Sequence, residues 1–159
     1  KALFFCVGEN IYKYPEVAKE IINQGHSIGN HTYNHRRITK LGKPEISEQI
    51  DLVTEILKEK LDYKNLYFRP PHGRFNISLS GILQEKNLKN IMWSLLTYDY
   101  KNRLDIVKFG VRKYLRNDSI IVLHDSLKSK DIIIDSIRYI TDEVLKKGFV
   151  FGEAEECLK

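Results

Sequence analysis

The sequence predicts an α/β fold built on parallel strands. Short apolar runs of strand length alternate along the chain with longer segments whose apolar residues recur at helical spacing. This alternation is typical of β-α-β units, in which helices connect the parallel strands of a sheet. The 159 residues suit one domain, and a hydrophobic fraction of 42% is enough for an ordinary core. An open sheet and a barrel are both compatible with the pattern.

Six strands are predicted from the apolar runs. The first is a short run that ends at Gly8, and the third leads directly into a proline-rich loop. The predicted strands cover residues 2–8, 26–31, 65–71, 89–96, 119–125 and 149–152.

Five helices are predicted between the strands. Pro15 and Pro44 suit the first turn of a helix, and Gly25 and Gly148 suit its C-terminal end. The predicted helices cover residues 14–25, 43–61, 78–87, 104–117 and 131–148. The second helix has the clearest pattern, an apolar stripe at helical spacing formed by Ile46, Ile50, Val53 and Leu57.

The charge pattern argues against a nucleic-acid partner. The chain has 26 basic and 21 acidic residues, which gives a net charge of +5. The charges are spread along the chain, and lysine-rich helix faces of this kind are usually solvated. No basic cluster with interleaved aromatic residues is present. No apolar run approaches the length of a membrane span, so no membrane partner is predicted, and the sequence does not indicate an oligomeric state.

The two cysteines and the first residues give further expectations. Cys6 and Cys157 lie near apolar runs, which favours two buried thiols, and a disulfide cannot be assigned from the sequence. The chain starts at Lys1 and enters an apolar run at once, so we expect an upstream segment. No signal peptide is visible.

Polar residues follow the predicted strands at positions that favour a ligand site. In parallel α/β folds, ligands bind at the carboxyl ends of strands, on the loops that lead into helices. Four strands end in such groups, so we expect four loops to form a shared rim. The groups are the His31/His35 pair, Arg69 with His72, Asp99, and His124 with Asp125.

His31 and His35 are candidate metal ligands. If the segment is helical, residues four apart share one face, and two imidazoles there can bind one divalent ion. A catalytic zinc site also needs a third protein ligand and an open position. The alternative is a pair of surface histidines in a polar loop. His26, at the start of a strand, is a poorer ligand candidate and is expected to be a packed or capping residue.

Two further groups have functional and structural alternatives. In the stretch RPPHGRF, Arg69 could bind a carboxylate bidentately, and Gly73 lets the backbone approach a ligand; the alternative is a rigid turn with a surface arginine. His124 follows a buried strand and could act as a general acid if a carboxylate, Asp99 or Asp125, favours its protonated form. The alternative is a structural histidine.

These motifs are far more specific together than each motif is alone. HTYNH, RPPHG, WSLLTYDY and VLHD, in this order, resemble the motifs of NodB-type polysaccharide deacetylases, carbohydrate esterase family 4. The opening stretch is similar to that family's second strand, second helix and third strand. The resemblance spans essentially the whole chain. It implies a single deacetylase domain over 1–159, a distorted (β/α) barrel that lacks its first strand and helix in this chain.

The resemblance also implies roles for residues of the first two motifs. His31 and His35 match the family's two metal-binding histidines. Arg69 matches the arginine that orients a catalytic aspartate. The backbone N–H of His72 falls where the family places an oxyanion donor, and Gly73 follows it in the expected substrate-binding loop.

Roles for the last two motifs follow in the same way. Asp99 matches the aspartate that tunes the catalytic histidine, and His124 matches that histidine, the general acid. Leu123 matches the leucine that lines the acetyl pocket, and Tyr100 lies in the expected sugar pocket. The implied cofactor is a divalent metal, with Zn²⁺ expected first and Co²⁺ or Ni²⁺ as alternatives.

The sequence departs from the family pattern at three places. The T-F-D-D-G-P motif, whose two aspartates supply the general base and the third metal ligand, is absent from these 159 residues. His72 stands where an aromatic Tyr or Phe is usual, and Tyr100 stands where a Trp is usual. The first departure means that the residues present are not expected to turn over substrate alone.

The resemblance predicts a metal-dependent hydrolase that removes acetyl groups from N-acetylated sugars of peptidoglycan or a chitin-like polymer. Removal of an O-acetyl group is a close variant. A catalytically inactive carbohydrate-binding or scaffold module is the alternative from another class, and hydrolysis of a non-sugar amide is a third. An extracellular or cell-envelope location is implied by the family alone.

Overall fold

The strands of the protein fall into two parallel sheets. The computed structural model describes residues 1–158, and the chain separates into two compact units. The first unit is Lys1–Ile91 with the segment that starts at Glu153, and the second is Met92–Gly152. The prediction of one domain over the whole chain stays a prediction. The strands are β1 (Leu3–Cys6), β2 (Ser27–Asn30), β3 (Tyr67–Phe68), β4 (Lys89–Asn90), β5 (Leu95–Leu96) and β6 (Ile121–Val122).

Helices follow most of the strands. Short 3₁₀ turns at Ile38–Lys40, Pro71–Gly73 and Asp99–Lys101 occupy three of the loops. The α-helices are α1 (Gly8–Lys13), α2 (Pro15–Asn23), α3 (Lys43–Leu61), α4 (Ile77–Glu85), α5 (Leu104–Tyr114), α6 (Ile133–Lys146) and α7 (Ala154–Cys157). No helix among residues 1–158 is long and apolar enough to cross a membrane.

The sheet of the first unit places two loops side by side. Its strands run parallel in the order β1-β2-β3-β4, with Cys6 opposite Asn30 and Asn30 opposite Phe68. Because the strands are parallel, their carboxyl ends lie at one edge of the sheet. His31 and Arg69, the residues that directly follow β2 and β3, therefore lie together at that edge.

The sheet of the second unit also places two loops side by side. Strands β5 and β6 are parallel, with Leu95 opposite Ile121 and Leu96 opposite Val122. Asp99 and His124 each follow the end of one of these strands within three residues.

Helix α3 anchors the core of the first unit. Its predicted apolar stripe is confirmed, since the residues of the stripe are fully buried. Burying each of these side chains contributes roughly 1.5–3 kcal/mol relative to leaving it exposed. All five predicted helices are present as α2 to α6, with ends that differ from the predicted ends by up to a few residues.

Several predictions about the elements were wrong. Residues 89–96 do not form one strand, because Lys89–Asn90 pairs with β3 whereas Leu95–Leu96 pairs with β6. Residues 149–152 form no strand among the described residues, and Val150 is 87% exposed. Helices α1 and α7 were not predicted. Cys157 is exposed and Cys6 half-buried, so the expectation of two buried thiols was wrong for Cys157.

Candidate functional site

The segment between His31 and His35 is a sharply bent loop, so the helical arrangement considered for it was wrong. Thr32 and His35 have φ values of +66° and +57°, in the left-handed region that β-branched and bulky residues seldom occupy. The two imidazole rings nevertheless lie edge to face, with centroids 4.9 Å apart. The bent loop therefore brings the two imidazole rings together, as a helical turn was expected to do.

Asn30 ties the start of this loop to helix α3. Its side chain is fully buried, and its Nδ2 donates a hydrogen bond to the Ile50 carbonyl at 2.9 Å. Its Oδ1 accepts the backbone N–H of Thr32 at 2.9 Å. This short local bond satisfies an N–H that the bent backbone cannot pair in a regular element.

Gln49 ties the end of the loop to the same helix. It is 7% exposed, and its Oε1 accepts the backbone N–H of Asn34 at 3.1 Å. A buried amide side chain is stabilising only when it is hydrogen-bonded, so this contact accounts for a polar residue on the apolar face of α3.

Gly8 lets the start of α1 approach the middle of the loop. Its N–H donates to the Thr32 carbonyl at 3.0 Å, and the next N–H donates to the Tyr33 carbonyl at 2.9 Å. A Cβ at Gly8 would lie 2.8 Å from side-chain carbons of both Tyr33 and Val53. Any larger residue would therefore push α1 away from the loop.

The hydrogen bond of His31 suits it to metal binding. Its Nδ1 lies 2.7 Å from the Arg69 carbonyl, which can only accept, so Nδ1 carries the proton and Nε2 carries the lone pair of the neutral ring. Backbone carbonyls commonly fix metal-binding imidazoles in this way. Two imidazoles on one tetrahedral zinc have centroids roughly 5 Å apart, which matches the His31–His35 pair.

The described residues supply an incomplete set of ligands. Among residues 1–158, no group of three or more His, Cys, Asp or Glu side chains could hold a metal ion. The donor chemistry of the His31–His35 pair fits a zinc-like cation.

Arg69 lies at the end of β3 and is 8% exposed. Its guanidinium lies over the ring of Phe5, with Cζ 4.1 Å from the ring centroid, and its Nε donates to the Ile91 carbonyl at 2.8 Å. Burial lowers the pKa of Arg69 to about 10, which still leaves the side chain charged at neutral pH. The structure therefore holds the guanidinium plane in a fixed orientation.

The loop after Arg69 brings a third imidazole to this region. His72 adopts φ +59° and its ring lies edge to face with the ring of His35, with centroids 4.8 Å apart. Gly73 follows with φ +65°, a conformation that glycine adopts without strain. Consecutive left-handed residues of this kind are rare and concentrate at functional sites.

In the second unit, both carboxylate oxygens of Asp99 accept hydrogen bonds from His124. Oδ1 lies 2.8 Å from the His124 Nδ1, and Oδ2 accepts the His124 backbone N–H at 2.6 Å. Asp99 is fully buried, whereas the His124 side chain is 41% exposed. Because an ionised carboxylate only accepts, Nδ1 is the donor, and Nε2 is the ring nitrogen available for chemistry.

The carboxylate of Asp99 is stabilised in its charged form. Burial raises its pKa, but the hydrogen bonds from the His124 side chain and backbone, the charge of His124 and the Thr97 hydroxyl outweigh burial, so the pKa is lowered. The Thr97 Oγ1 lies 3.0 Å from Asp99 Oδ1 and 2.8 Å from the Val122 carbonyl. Thr97 thus links Asp99 to strand β6.

Tyr100 lies beside the pair, and Leu123 precedes His124 in the chain. The Tyr100 ring lies edge to face with the His124 ring, with centroids 5.1 Å apart. Partial burial and the charges of Tyr98 and Asp99 raise the pKa of Tyr100. Leu123 is partly buried and packs against the core of the second unit. The carboxylate that contacts the His124 ring is that of Asp99.

The predicted site residues therefore form two clusters. His31, His35, Arg69 and His72 are neighbours in the first unit, and Asp99, Tyr100 and His124 are neighbours in the second. The expectation that all four loops form one rim stays a prediction. His26 is packed as expected, since its Nδ1 accepts the N–H of Ala2 and its ring lies against Phe4.

Three residues that hold these clusters were not predicted from the sequence. Gln49 had a usable signal, because it is a polar residue between Ile46 and Val53 on the apolar stripe of α3. Asn30 and Thr97 had no such signal apart from their positions: Asn30 precedes His31, and Thr97 lies two residues before Asp99. Their partners, the Ile50 and Val122 carbonyls, lie more than 19 residues away in the sequence.

Comparison with known proteins identifies the family. The family model described as polysaccharide deacetylase matches residues 1–91, which is more than half of the chain. The chain belongs to this family. It is 40% identical over 101 residues to a peptidoglycan-N-acetylglucosamine deacetylase of Bacillus cereus, an alignment that covers 64% of this chain and 37% of that protein. The alignment thus covers less than half the length of this curated relative.

Solved structures support the same assignment and confirm the predicted fold class. A peptidoglycan N-acetylglucosamine deacetylase is 32% identical with a TM-score of 0.88, over 94% of this chain and 71% of that chain. A family 4 carbohydrate esterase pseudoenzyme from Bacillus anthracis is 23% identical with a TM-score of 0.86, over 99% of this chain and 55% of that chain. The second likeness shows the fold alone.

Proposed function

We propose that this chain is part of a metal-dependent hydrolase that removes the acetyl group from N-acetylated sugars of a polysaccharide, either peptidoglycan or a chitin-like polymer. The observation that carries the proposal is the contact between Asp99 and His124, which presents an oriented imidazole suited to proton donation. Membership of the polysaccharide deacetylase family supports the substrate class. A location at the cell envelope belongs to the same proposal.

His31 and His35 would hold the divalent cation, Zn²⁺ in the first instance. The bond from His31 Nδ1 to the Arg69 carbonyl orients the ring, and the 4.9 Å between ring centroids suits one shared ion. A bound cation would supply Lewis acidity toward the acetyl carbonyl and toward water.

His124 acts as the general acid in the proposed reaction. Cleavage of an amide releases an amine, and an amide anion leaves poorly, so the nitrogen has to be protonated as the C–N bond breaks. In its protonated form His124 donates that proton from Nε2, while Asp99 keeps Nδ1 fixed and stabilises the positive ring. Asp99 performs this role because it is ionised and fully buried against His124.

Other predicted residues position the reacting groups in this proposal. Arg69 orients the aspartate that acts as general base. Its guanidinium plane is fixed by the Phe5 ring and by the hydrogen bond to the Ile91 carbonyl. The backbone N–H of His72, in the left-handed turn before Gly73, is the oxyanion donor; one such donor is commonly worth roughly 3 kcal/mol. Tyr100 and Leu123 contact the substrate.

A second candidate function is a glycan-binding module without catalysis. The Bacillus anthracis pseudoenzyme has the same fold. Removal of O-acetyl groups is a third candidate. It places less demand on His124, because an alkoxide leaves more readily than an amide anion.

Acetate release by the full-length protein tests the proposal. Chitooligosaccharides and an O-acetylated xylan are offered in parallel, after EDTA treatment and after re-addition of Zn²⁺ or Co²⁺. Release from the chitooligosaccharides that stops with EDTA and returns with metal supports the proposal. Release from the xylan alone favours the esterase. Binding of the oligosaccharide without any release favours the inactive module.

A further inference from the structure

Tyr98 has a backbone conformation that a tyrosine rarely adopts. It lies between β5 and the turn Asp99–Lys101, with φ +57° and ψ +26°. Glycine and asparagine adopt left-handed conformations far more readily than an aromatic residue does. Non-glycine residues with left-handed backbone angles concentrate at ligand-binding and catalytic sites, where the function of the side chain offsets the strain of the backbone.

The backbone bend at Tyr98 positions Asp99, but the aromatic ring of Tyr98 is not needed for that. The bend turns the chain so that Asp99 reaches back to Thr97 and across to His124. A glycine would make the same bend at less cost. The presence of a tyrosine therefore calls for a separate role of the aromatic ring.

The ring of Tyr98 extends a row of aromatic groups that begins at His124. Tyr100 lies against His124 with centroids 5.1 Å apart, and Tyr98 lies against Tyr100 with centroids 5.9 Å apart. Tyr98 is 43% exposed, and the Lys101 ammonium lies 5.1 Å from its ring centroid. The row thus ends in a partly exposed aromatic ring with the Lys101 ammonium, a hydrogen-bond donor, over one of its faces.

These properties suit a sugar ring. Pyranose rings expose C–H groups that pack on aromatic faces, and their hydroxyl and acetamido oxygens accept hydrogen bonds from ammonium groups. Tyrosine supplies a large, rigid contact surface with a polar tip, which is why it recurs in binding sites. Because Tyr100 separates Tyr98 from His124, the sugar on Tyr98 is a neighbour of the reacting one.

We propose that Tyr98, with Lys101, binds a second N-acetylglucosamine unit of the glycan, next to the unit that is deacetylated; this proposal rests on the proposed function for its substrate. Tyr98 is then a determinant of chain-length preference. It favours oligomers that are long enough to reach both positions over a disaccharide.

Binding to oligosaccharides of two lengths tests this role. Full-length protein carrying His124→Ala, loaded with Zn²⁺, is titrated by calorimetry with chitobiose and chitopentaose. We expect Tyr98→Ala to weaken chitopentaose binding about threefold to tenfold and chitobiose binding less than twofold. Tyr98→Phe keeps the ring and should bind both as the parent does. Tyr114→Ala is the matched control, because Tyr114 is also exposed beside a lysine, with Lys113 5.2 Å from its ring.

Each outcome decides between the two proposals. If Tyr98→Ala binds chitopentaose as the parent does, or loses affinity for both lengths equally, the second sugar position is wrong while the deacetylase proposal stands on acetate release. If chitopentaose binding falls selectively but the wild type releases no acetate, only the catalytic proposal fails. If the parent binds neither oligosaccharide and the wild type releases no acetate, both proposals fail.

Discussion

The side-chain oxygen of Gln49 accepts the backbone N–H of Asn34 at 3.1 Å, and this bond connects helix α3 to the residue that precedes His35. Asn30 connects the other end of the loop to the same helix through the Ile50 carbonyl. The His31–His35 pair is therefore held from outside its own segment, and its spacing depends on α3.

Removal of the Gln49 contact is expected to weaken metal binding. Gln49→Leu leaves the Asn34 N–H without its acceptor and loosens the His35 end of the loop. Loss of a hydrogen bond made directly to a metal ligand typically lowers metal affinity about 10-fold to 100-fold, so loss of this bond to the neighbouring residue is expected to lower it by about 10-fold or less. Gln49→Glu keeps an acceptor oxygen and should bind Zn²⁺ more tightly than Gln49→Leu. Calorimetric titration of the metal-free proteins measures this, and equal affinities for wild type and Gln49→Leu would disprove the role.

Replacement of His31 tests the proposed ligand pair. His31→Ala removes one of the two imidazoles, so the protein should lose bound Zn²⁺ after dialysis against a stoichiometric amount of the metal. His26→Ala is the control, because His26 is packed against Phe4 outside the pair. Elemental analysis gives the occupancy. Unchanged occupancy in His31→Ala would argue against ligation.

The lowered pKa of Asp99 predicts a pH-dependent contribution to stability. The ionised form is favoured in the folded state, so the contribution is fully present above the ordinary carboxyl pKa of about 4 and is lost as the pH falls through the lower folded-state pKa. Asp99→Asn should lower the free energy of unfolding by about 1.5–3 kcal/mol at pH 7. The difference from wild type should shrink below pH 4.

Urea denaturation at several pH values measures this difference. Asp105→Asn is a suitable control, because Asp105 pairs with Arg103 on the surface and its loss should change stability little. A wild-type advantage over Asp99→Asn that stays constant down to pH 2 would mean that the charge of Asp99 is not responsible.

Arg69→Lys tests whether a fixed guanidinium plane is needed. Lysine keeps a positive charge but cannot reproduce the fork or the stacking on Phe5. Loss of a charge-assisted hydrogen bond of about 1.5–3 kcal/mol lowers kcat about 10-fold to 100-fold. KM should change less than twofold, provided that circular dichroism shows a folded protein. A raised KM with unchanged kcat would assign Arg69 to substrate binding instead.

Local patterns predicted the helices well. The stripe on α3 and the prolines at the starts of α2 and α3 act within a few residues of their own positions, so the sequence is sufficient to find them. The placement of Arg69 and His124 after strand ends was also predictable, since each directly follows a buried or partly buried apolar run.

Contacts distant in the sequence explain what was not predicted. The loop at His31 is bent because its backbone bonds to Gly8 and Gln49, and no local pattern shows these partners. Residues 89–96 look like one strand by composition. The chain leaves the first sheet at Ile91, whose carbonyl accepts the Arg69 side chain in place of a strand partner.

Acetate release by His124→Ala, measured beside its metal content, tests the central claim most directly. The full-length variant and wild type are loaded with Zn²⁺, assayed on chitopentaose, and analysed for bound metal in the same samples. We expect His124→Ala to lose turnover and to keep the wild-type amount of metal, because in the proposed reaction His124 donates a proton and does not bind the cation. Wild-type turnover in the variant, or an equal loss of metal and turnover, would contradict it.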